Sequence, residues 1–318
     1  MNPDSLGLIA LLGFYAAFFL LGSWAGRRSS AGRPDVFLLA GRNLPLIVGV
    51  MTMVATWVGG GYLNGTAEAV ADPARGLVWA QAPWGYALSL VFGGLFFAGR
   101  MRRLGFRTLL DVFHVRYGKK VAAALALPAL TGEVFWSAAI LVALGTTFGT
   151  ILGFDFANSI VLSAAVAIAY TCMGGLRSVA YTDTLQLLCI LVGLGIAVPF
   201  VTESVGGIFE VSRRYAEAFG ASASILPGAT AWKGAQPWGW QWSDMGLLLM
   251  LGGIPWQVYF QRVLACRDER TAIRFSILAG FGCVLAAVPA VLIGMAGAVA
   301  DWSAVPGGGP SHPALVLP

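Results

Sequence analysis

Three tryptophans, Trp57, Trp136 and Trp256, lie near the middle of long apolar segments. Tryptophan normally prefers the two interfaces of a membrane, where its ring meets both lipid and water. The face of an aromatic ring attracts a cation that has no N–H group to donate, such as a quaternary ammonium. Tyr86, about a third of the way into another apolar segment, adds a fourth ring. One such ring is more often explained by core packing, but the set predicts an aromatic cation site.

Two of these rings stand beside predicted interruptions of a helix. Three glycines at 59–61 follow Trp57, and the sequence GGIP at 252–255 precedes Trp256. Glycine costs a helix about 1 kcal/mol relative to alanine, and proline removes an N–H group and clashes with the preceding turn. Backbone groups freed at membrane depth persist only against protein or a water-filled cavity. Interrupted helices at corresponding positions of two halves indicate the binding site of a transporter.

The rings alone are too weak to hold a ligand tightly. A desolvated ring contributes about 2 kcal/mol, so three or four supply roughly 6–8 kcal/mol before the costs of binding. Micromolar binding requires about 8 kcal/mol net. The methyl groups of the ligand and one polar contact must therefore add to the rings.

Four acidic residues in or at the ends of apolar segments are further candidates, since acids inside a membrane are usually functional. They are Glu68, Glu133, Asp183 and Asp244. Glu133 and Trp136 are three residues apart and share a helix face. Asp183 stands at the start of its predicted span, where capping of the helix explains it better.

The composition places these residues in a membrane. Of the 318 residues, 58% are hydrophobic and 11% are charged, and the mean hydropathy is +0.76. A soluble domain carries about 25% charged residues, so an all-α polytopic membrane protein is predicted. The net charge of +5 comes from short loops, which argues against nucleic acid as a partner. The predicted spans are 6–26, 46–71, 79–99, 121–149, 157–174, 183–201, 241–261 and 275–299, and residues 312–318 look like the start of a ninth.

Basic residues are distributed unevenly between the two sides of this arrangement. Sixteen of the 20 Lys and Arg residues follow the first, third, fifth and seventh spans, Arg262 among them. The remaining four are Arg75, Arg213, Arg214 and Lys233. Cytoplasmic loops carry the excess of positive charge, so the N-terminus is predicted outside the cell. By this count no Lys or Arg lies inside the membrane.

Five stretches of the chain resemble the high-affinity choline transporter branch of the sodium/solute symporter family. They are ATWVGGGYLNGTAEAV, WAQAPWGYALSLVFGGLFFA, GEVFWSAAI, SVAYTDTLQLLCI and LLLMLGGIPWQVYFQRVL. The resemblance implies a LeuT-like inverted repeat with an extra N-terminal helix. It also implies sodium-driven uptake of choline, and the best-known members depend on chloride.

The same resemblance assigns residues to the two ligands. Trp57, Tyr86, Trp136 and Trp256 would form the aromatic cage, and Asp244 matches a family acid on the helix before the second break. The sodium ion would be held partly by the backbone carbonyls of Ala55 and Val58. Carbonyl oxygens suit a hard cation, and an unwound segment makes them available.

The resemblance also predicts the domain organisation. Residues 1–318 would form a single transmembrane domain, with 6–26 as the extra helix, 46–201 as the first five-helix repeat and 241–318 as the start of the second. The family has about thirteen helices, so the second repeat is predicted to be incomplete. A fragment of this length would lack part of the sodium site. The sequence carries no signal for oligomeric state.

Three other functions compete with choline transport. A related symporter could carry betaine, proline or a sugar. A sugar would require several hydrogen-bonding side chains at the breaks, whereas betaine shares the quaternary ammonium group. A membrane enzyme such as a lipid-headgroup transferase would require clustered acids or histidines near a surface, and the chain has only two histidines. A truncated product that does not transport is the third alternative.

The charge distribution leads to a test of topology. Single cysteines introduced within 202–240 should react with a membrane-impermeant maleimide on intact cells, because this loop is predicted outside. Cysteines within 100–120 should react only after permeabilisation. The parent protein without added cysteines is the control, and labelling of 202–240 only after permeabilisation would invert the predicted topology.

Overall fold

The computed structural model describes residues 5–27, 34–152, 155–234 and 237–304, and within these ranges all the regular elements are helices. The α-helices are α1 (Ser5–Gly26), α2 (Pro34–Leu39), α3 (Leu46–Trp57), α4 (Gly60–Ala71), α5 (Ala82–Phe92), α6 (Gly99–Leu104), α7 (Leu110–Leu152), α8 (Phe156–Glu203), α9 (Ile208–Phe219), α10 (Gly239–Gly252), α11 (Gln257–Leu264) and α12 (Glu269–Val299). A π-helical stretch, Gly93–Ala98, joins α5 to α6.

Helices lie at all eight predicted spans. In the part of the chain that the structure describes, four helices are long and apolar enough to cross a membrane: Leu77–Leu104, Leu110–Gly145, Gly175–Glu203 and Glu269–Val299. Helices α3 and α4 together qualify as a fifth, broken span, and Leu12–Gly26 and Phe156–Ala165 are shorter apolar helices. The predicted opening of a ninth span at 312–318 lies outside the described residues.

Both predicted helix breaks are present. Helix α3 ends at Trp57 and α4 begins at Gly60, so the first break is confined to Val58 and Gly59. Gly60 and Gly61 are helical, and the prediction of an interruption across 59–61 was too long. The Gly59 carbonyl accepts hydrogen bonds from the Tyr62 and Leu63 N–H groups at 3.0 Å, which starts the new helix at once. The second break is longer and comprises residues 253–256, between α10 and α11.

A glycine inside α8 separates the two spans predicted at 157–174 and 183–201. Gly175 has φ +57° and ψ −153°, which is not helical, so α8 consists of two helical halves with a kink between them. A Cβ at this position would collide with the Phe37 backbone carbonyl, so both conformation and space require glycine. The second half of α8 therefore begins near residue 176 rather than 183. Asp183 lies about two turns inside it, and its prediction as a helix cap was wrong.

By its contacts the chain divides into two compact units, which we describe separately. The first unit comprises Met1–Trp57, Ser89–Leu187 and Gly253–Gly280. It contains a buried polar network of three side chains. Asp183 accepts a hydrogen bond of 2.5 Å from the Thr52 hydroxyl and an ion pair of 3.3 Å from Arg262. Arg262 also donates to Thr52 at 3.2 Å.

This network corrects a second prediction. Arg262 was assigned to a cytoplasmic loop, but it lies in the last turns of α11 and is only 5% exposed. The count of basic residues missed it because the partner, Asp183, is 79 residues away in the sequence. A buried charge persists only where an opposite charge and hydrogen bonds compensate for the lost water.

The second unit comprises Val58–Leu88, Leu188–Gly252 and Phe281–Pro318. Tyr215 on α9 ties it together, because its hydroxyl donates to the Val70 carbonyl at 2.7 Å and accepts from the Leu77 N–H at 3.0 Å. Trp242 donates its indole N–H to the Val78 carbonyl at 2.7 Å. The stretch predicted as a loop at 202–240 therefore contains a helix, α9, that packs against its own unit.

The tryptophans near the start of α10 pack on other rings of this unit. Trp242 stacks on Trp84 at 5.2 Å, and Trp238 lies 5.6 Å from Trp79, both between ring centroids.

On the exposed face of α9, hydrogen bonds from Arg213 and Arg214 lower the pKa of Glu210 to about 2. Glu210 therefore stays charged at any ordinary pH.

The buried pair predicts a contrast in stability. Replacing either partner alone, as in Arg262→Leu or Asp183→Asn, should destabilise the protein by about 3–5 kcal/mol, because an uncompensated group stays buried. Replacing both by leucine should recover part of that loss. Apparent melting temperatures of the detergent-purified protein measure the effect.

A matched control is the Arg103–Glu269 pair, whose side chains are 70% and 37% exposed. An exposed pair contributes about 0–1 kcal/mol, so Arg103→Leu should shift the melting temperature little. If the double variant loses as much as the sum of the single variants, the two side chains are not coupled.

Candidate functional site

Three of the predicted cage residues meet in the first unit. The Trp256 ring centroid lies 5.1 Å from that of Trp57 and 4.9 Å from that of Trp136. The interplanar angles are 89° and 82°, so both neighbouring rings stand nearly perpendicular to Trp256. Edge-to-face contacts of this kind each add about 0.5–1.5 kcal/mol beyond area burial. Residues separated by up to 199 positions in the sequence thus form one aromatic cluster.

The two breaks place two of these rings. Trp57 is the last residue of α3, and Trp256 is the last residue before α11, with an extended backbone at φ −90° and ψ 128°. Gly253 opens the second break. A Cβ there would collide with the Trp57 ring and with the Ser89 hydroxyl, so a side chain at 253 would push the Trp57 ring aside. The glycine is required by the close approach of backbone and ring.

Glu133 joins the cluster from α7. Its carboxylate accepts a hydrogen bond of 2.7 Å from the indole N–H of Trp256. Trp136, one turn further along α7, contacts the same indole with its ring. The prediction that Glu133 and Trp136 share a helix face is therefore confirmed, and both residues hold Trp256.

Ser89 is a candidate that the sequence analysis missed. Its side chain is 1% exposed, and its hydroxyl has no hydrogen-bond partner among the residues that the structure describes. The Ser89 hydroxyl and the Trp57 ring both lie against the position that a Cβ of residue 253 would occupy. The only sequence signal was its position three residues after Tyr86 on the same helix. A buried hydroxyl without a partner is costly and is available to a ligand.

Tyr86 belongs to the second unit. Its ring stacks on Tyr62 with a centroid distance of 5.9 Å and an interplanar angle of 24°. Tyr62 is held in turn, because its hydroxyl donates to the Cys283 carbonyl at 2.7 Å. The orientation of Tyr86 thus depends on a second ring that is itself anchored to α12.

The remaining predicted site residues lie on or next to the broken helices. Asp244 is exposed on α10, nine residues before the break. Ala55 lies in the last turn of α3, and the buried Val58 is the first residue after it. The last four carbonyls of a helix have no intrahelical partner, and Ala55 is among them. The roles of these three residues stay predictions.

The arrangement can attract a cation without donating hydrogen bonds to it. Ring faces carry negative charge from the π-electrons, and the cluster adds one carboxyl group. The ring centroids are too close together for a cation to insert between two of the indoles, so a ligand would have to reach a ring face that no other indole covers. Such a surface suits a large cation surrounded by methyl groups.

Comparisons with known proteins give the family. The model of the sodium:solute symporter family matches residues 37–306. The chain is 49% identical to the human high affinity choline transporter 1 over 304 residues and 46% identical to the Drosophila melanogaster protein of that name over 301. Each match covers 93% of this chain; it covers 51% of the human protein and 46% of the Drosophila protein. The pig sodium/glucose cotransporter 1 is 28% identical over 222 residues, which is 68% of this chain and 32% of that protein.

A solved structure shows the fold. The chain matches a Na⁺-coupled sialic acid symporter, in a substrate-bound outward-open state, with a TM-score of 0.78 and 19% identity. The match covers 93% of this chain and 61% of that one. The predicted all-α, LeuT-like transporter fold is confirmed. The chain spans about half the length of the curated relatives it matches. On these findings it is a multi-pass membrane protein that belongs to the sodium:solute symporter family.

Proposed function

We propose that the native protein is a sodium-coupled secondary transporter that imports choline by alternating access. The observation that carries this proposal is the meeting of Trp57, Trp136 and Trp256 beside both helix breaks. Perpendicular indoles provide the negative faces that a trimethylammonium group binds. The breaks provide the unwound backbone that transporters of this kind use for ligands and ions.

The names of several relatives support the substrate. Proteins 44–49% identical over 93–94% of this chain are named high-affinity choline transporters. These relatives are about twice as long as this chain. The proposal therefore concerns the native protein that contains these residues.

Each side chain has a proposed role in holding choline. The three indoles bind the ammonium group, and Tyr86 adds a ring from α5. Asp244, exposed on α10, attracts the cation before it enters. Ser89 offers its buried hydroxyl to the hydroxyl group of the ligand. This last contact supplies the polar interaction that the ring energies alone leave missing.

Sodium binds at the first break in this proposal. The carbonyls of Ala55 and Val58 lie where α3 stops, and hard cations prefer such oxygen ligands. Chloride is a candidate co-substrate on the family resemblance. We also propose that the N-terminus lies outside the cell. The helix at 6–26 would precede the repeats, and residues 46–201 would form the first repeat.

Betaine is the second candidate substrate, because it carries the same trimethylammonium group. The rings do not separate the two ligands, since both present identical methyl groups to the indole faces. The carboxylate of betaine would require a cationic partner. Within the described residues the cluster contributes an acid instead, which favours choline.

Sodium coupling is testable in liposomes. The native protein, reconstituted with an inward sodium gradient, should accumulate choline more than with equal sodium on both sides. Each positive charge moved inward gains about 2.3 kcal/mol per 100 mV, so uptake should steepen as the interior becomes negative. Replacing chloride by gluconate tests the chloride role separately. Equal uptake with and without the gradient would exclude sodium coupling.

The aromatic cage predicts an order among substitutions. Trp57→Phe keeps a weaker ring face, whereas Trp57→Leu keeps bulk and removes the face. Leucine should therefore cost more choline affinity than phenylalanine, by about 1 kcal/mol. The same order is expected at Trp136 and Trp256. Equilibrium binding to the purified native protein measures it, normalised to folded protein.

A neutral isostere, in which carbon replaces the ammonium nitrogen, is the control ligand. It should bind weakly to the native site and respond little to the same substitutions, because ring faces attract charge. Parallel losses for choline and the isostere would make these tryptophans packing residues.

A further inference from the structure

Glu133 is the carboxyl group of the aromatic cluster, and its surroundings bear on the charge that a ligand must carry. It is half-buried on α7, and its carboxylate accepts the Trp256 indole N–H at 2.7 Å. This contact leaves the second carboxylate oxygen for another partner. An acid inside a membrane-spanning helix normally faces a cavity or a compensating charge.

The compensation that Glu133 receives differs from that of the other acid in the same unit. Asp183 pairs with Arg262 at 3.3 Å. Within the described residues, no Lys or Arg side chain lies within ion-pair distance of Glu133, and its hydrogen bond comes from a neutral indole. A cation that arrives from outside the protein would supply the charge compensation that a carboxylate in this position lacks.

We propose that Glu133 is the counter-charge and positioning residue of the cage, so that the site selects a trimethylammonium cation over a trimethylammonium zwitterion. This inference rests on the proposed function and adds to it the charge that the ligand must carry. Choline has a net positive charge, whereas betaine carries a carboxylate of its own. The two negative groups would repel each other across the cluster.

Glu133 acts on the cation in two ways. It orients the Trp256 ring, because a hydrogen bond to a carboxylate is shorter and stronger than one between neutral groups. It also attracts the ammonium through space, and this attraction is large where water is excluded. A neutral ligand of the same shape gains from the first effect and not from the second. The two effects are therefore separable by the choice of ligand.

The variant Glu133→Gln separates them. An amide oxygen still accepts the indole N–H, so Trp256 keeps its anchor while the negative charge is removed. Choline binding should weaken about tenfold, from the lost Coulomb attraction. Binding of the neutral isostere 3,3-dimethylbutan-1-ol should change by less than about twofold. Betaine binding should stay the same or tighten, because the repulsion is gone.

The measurement is isothermal titration calorimetry of the purified native protein with each of the three ligands. The ratio of two dissociation constants does not depend on the fraction of folded protein. Glu133→Ala removes both the charge and the hydrogen bond that anchors Trp256, so it should weaken the binding of the isostere as well as that of choline. Glu203→Gln, which neutralises an exposed acid at the end of α8, is the matched control and should leave all three ligands unchanged.

Three results would overturn the inference and spare the choline site. Glu133→Gln could change the dissociation constants of choline and of the isostere by the same factor, which would make Glu133 a packing residue. It could also leave the dissociation constant of choline unchanged. Native protein that binds betaine as tightly as choline would also contradict it. If the native protein binds choline no better than the isostere, the proposed function fails, and this outcome is visible before any variant is made.

Discussion

The missing side chain at Gly253 is the constraint on which the aromatic cluster depends. A single carbon added there would occupy the space of the Trp57 ring and the Ser89 hydroxyl. Without that carbon the Trp57 ring lies close to the backbone of the second break and reaches Trp256. Close packing of this kind leaves no room for adjustment, because protein interiors have few voids. The glycine is therefore as necessary to the aromatic cluster as the indoles, although it has no side chain of its own.

Two acids of the first unit show how the surroundings of a group decide what it does. Asp183 has its own cation, Arg262, and a hydroxyl from Thr52, so the three side chains form a closed network. Glu133 has one hydrogen bond from an indole. Removing a carboxylate from water costs more at Asp183, whose side chain is 13% exposed, than at the half-buried Glu133. Arg262 and Thr52 compensate for that cost at Asp183, and in our proposal an external cation does so at Glu133.

The candidate tryptophans and the two helix breaks could be predicted from the sequence because their signals are local. A ring in the middle of an apolar segment, or a glycine beside a proline, is visible without knowing what packs against it. The extent of the first break was overestimated, since Gly60 and Gly61 can be helical once Gly59 has started the turn. Asp183 and Arg262 were misassigned because the pair joins positions 79 residues apart, which no local pattern indicates.

The fold alone says little about the substrate. A sialic acid symporter shares this fold at 19% identity, and a sugar cotransporter is 28% identical over part of the chain. Function resides in the side chains that a fold presents, so the identity of the ligand must be sought at the breaks. A sugar has many hydroxyl groups and needs many hydrogen-bonding partners, whereas the described residues bring three indoles, one carboxyl group and the Ser89 hydroxyl together there. In our proposal these side chains bind a cation, and the surrounding helices bring them together.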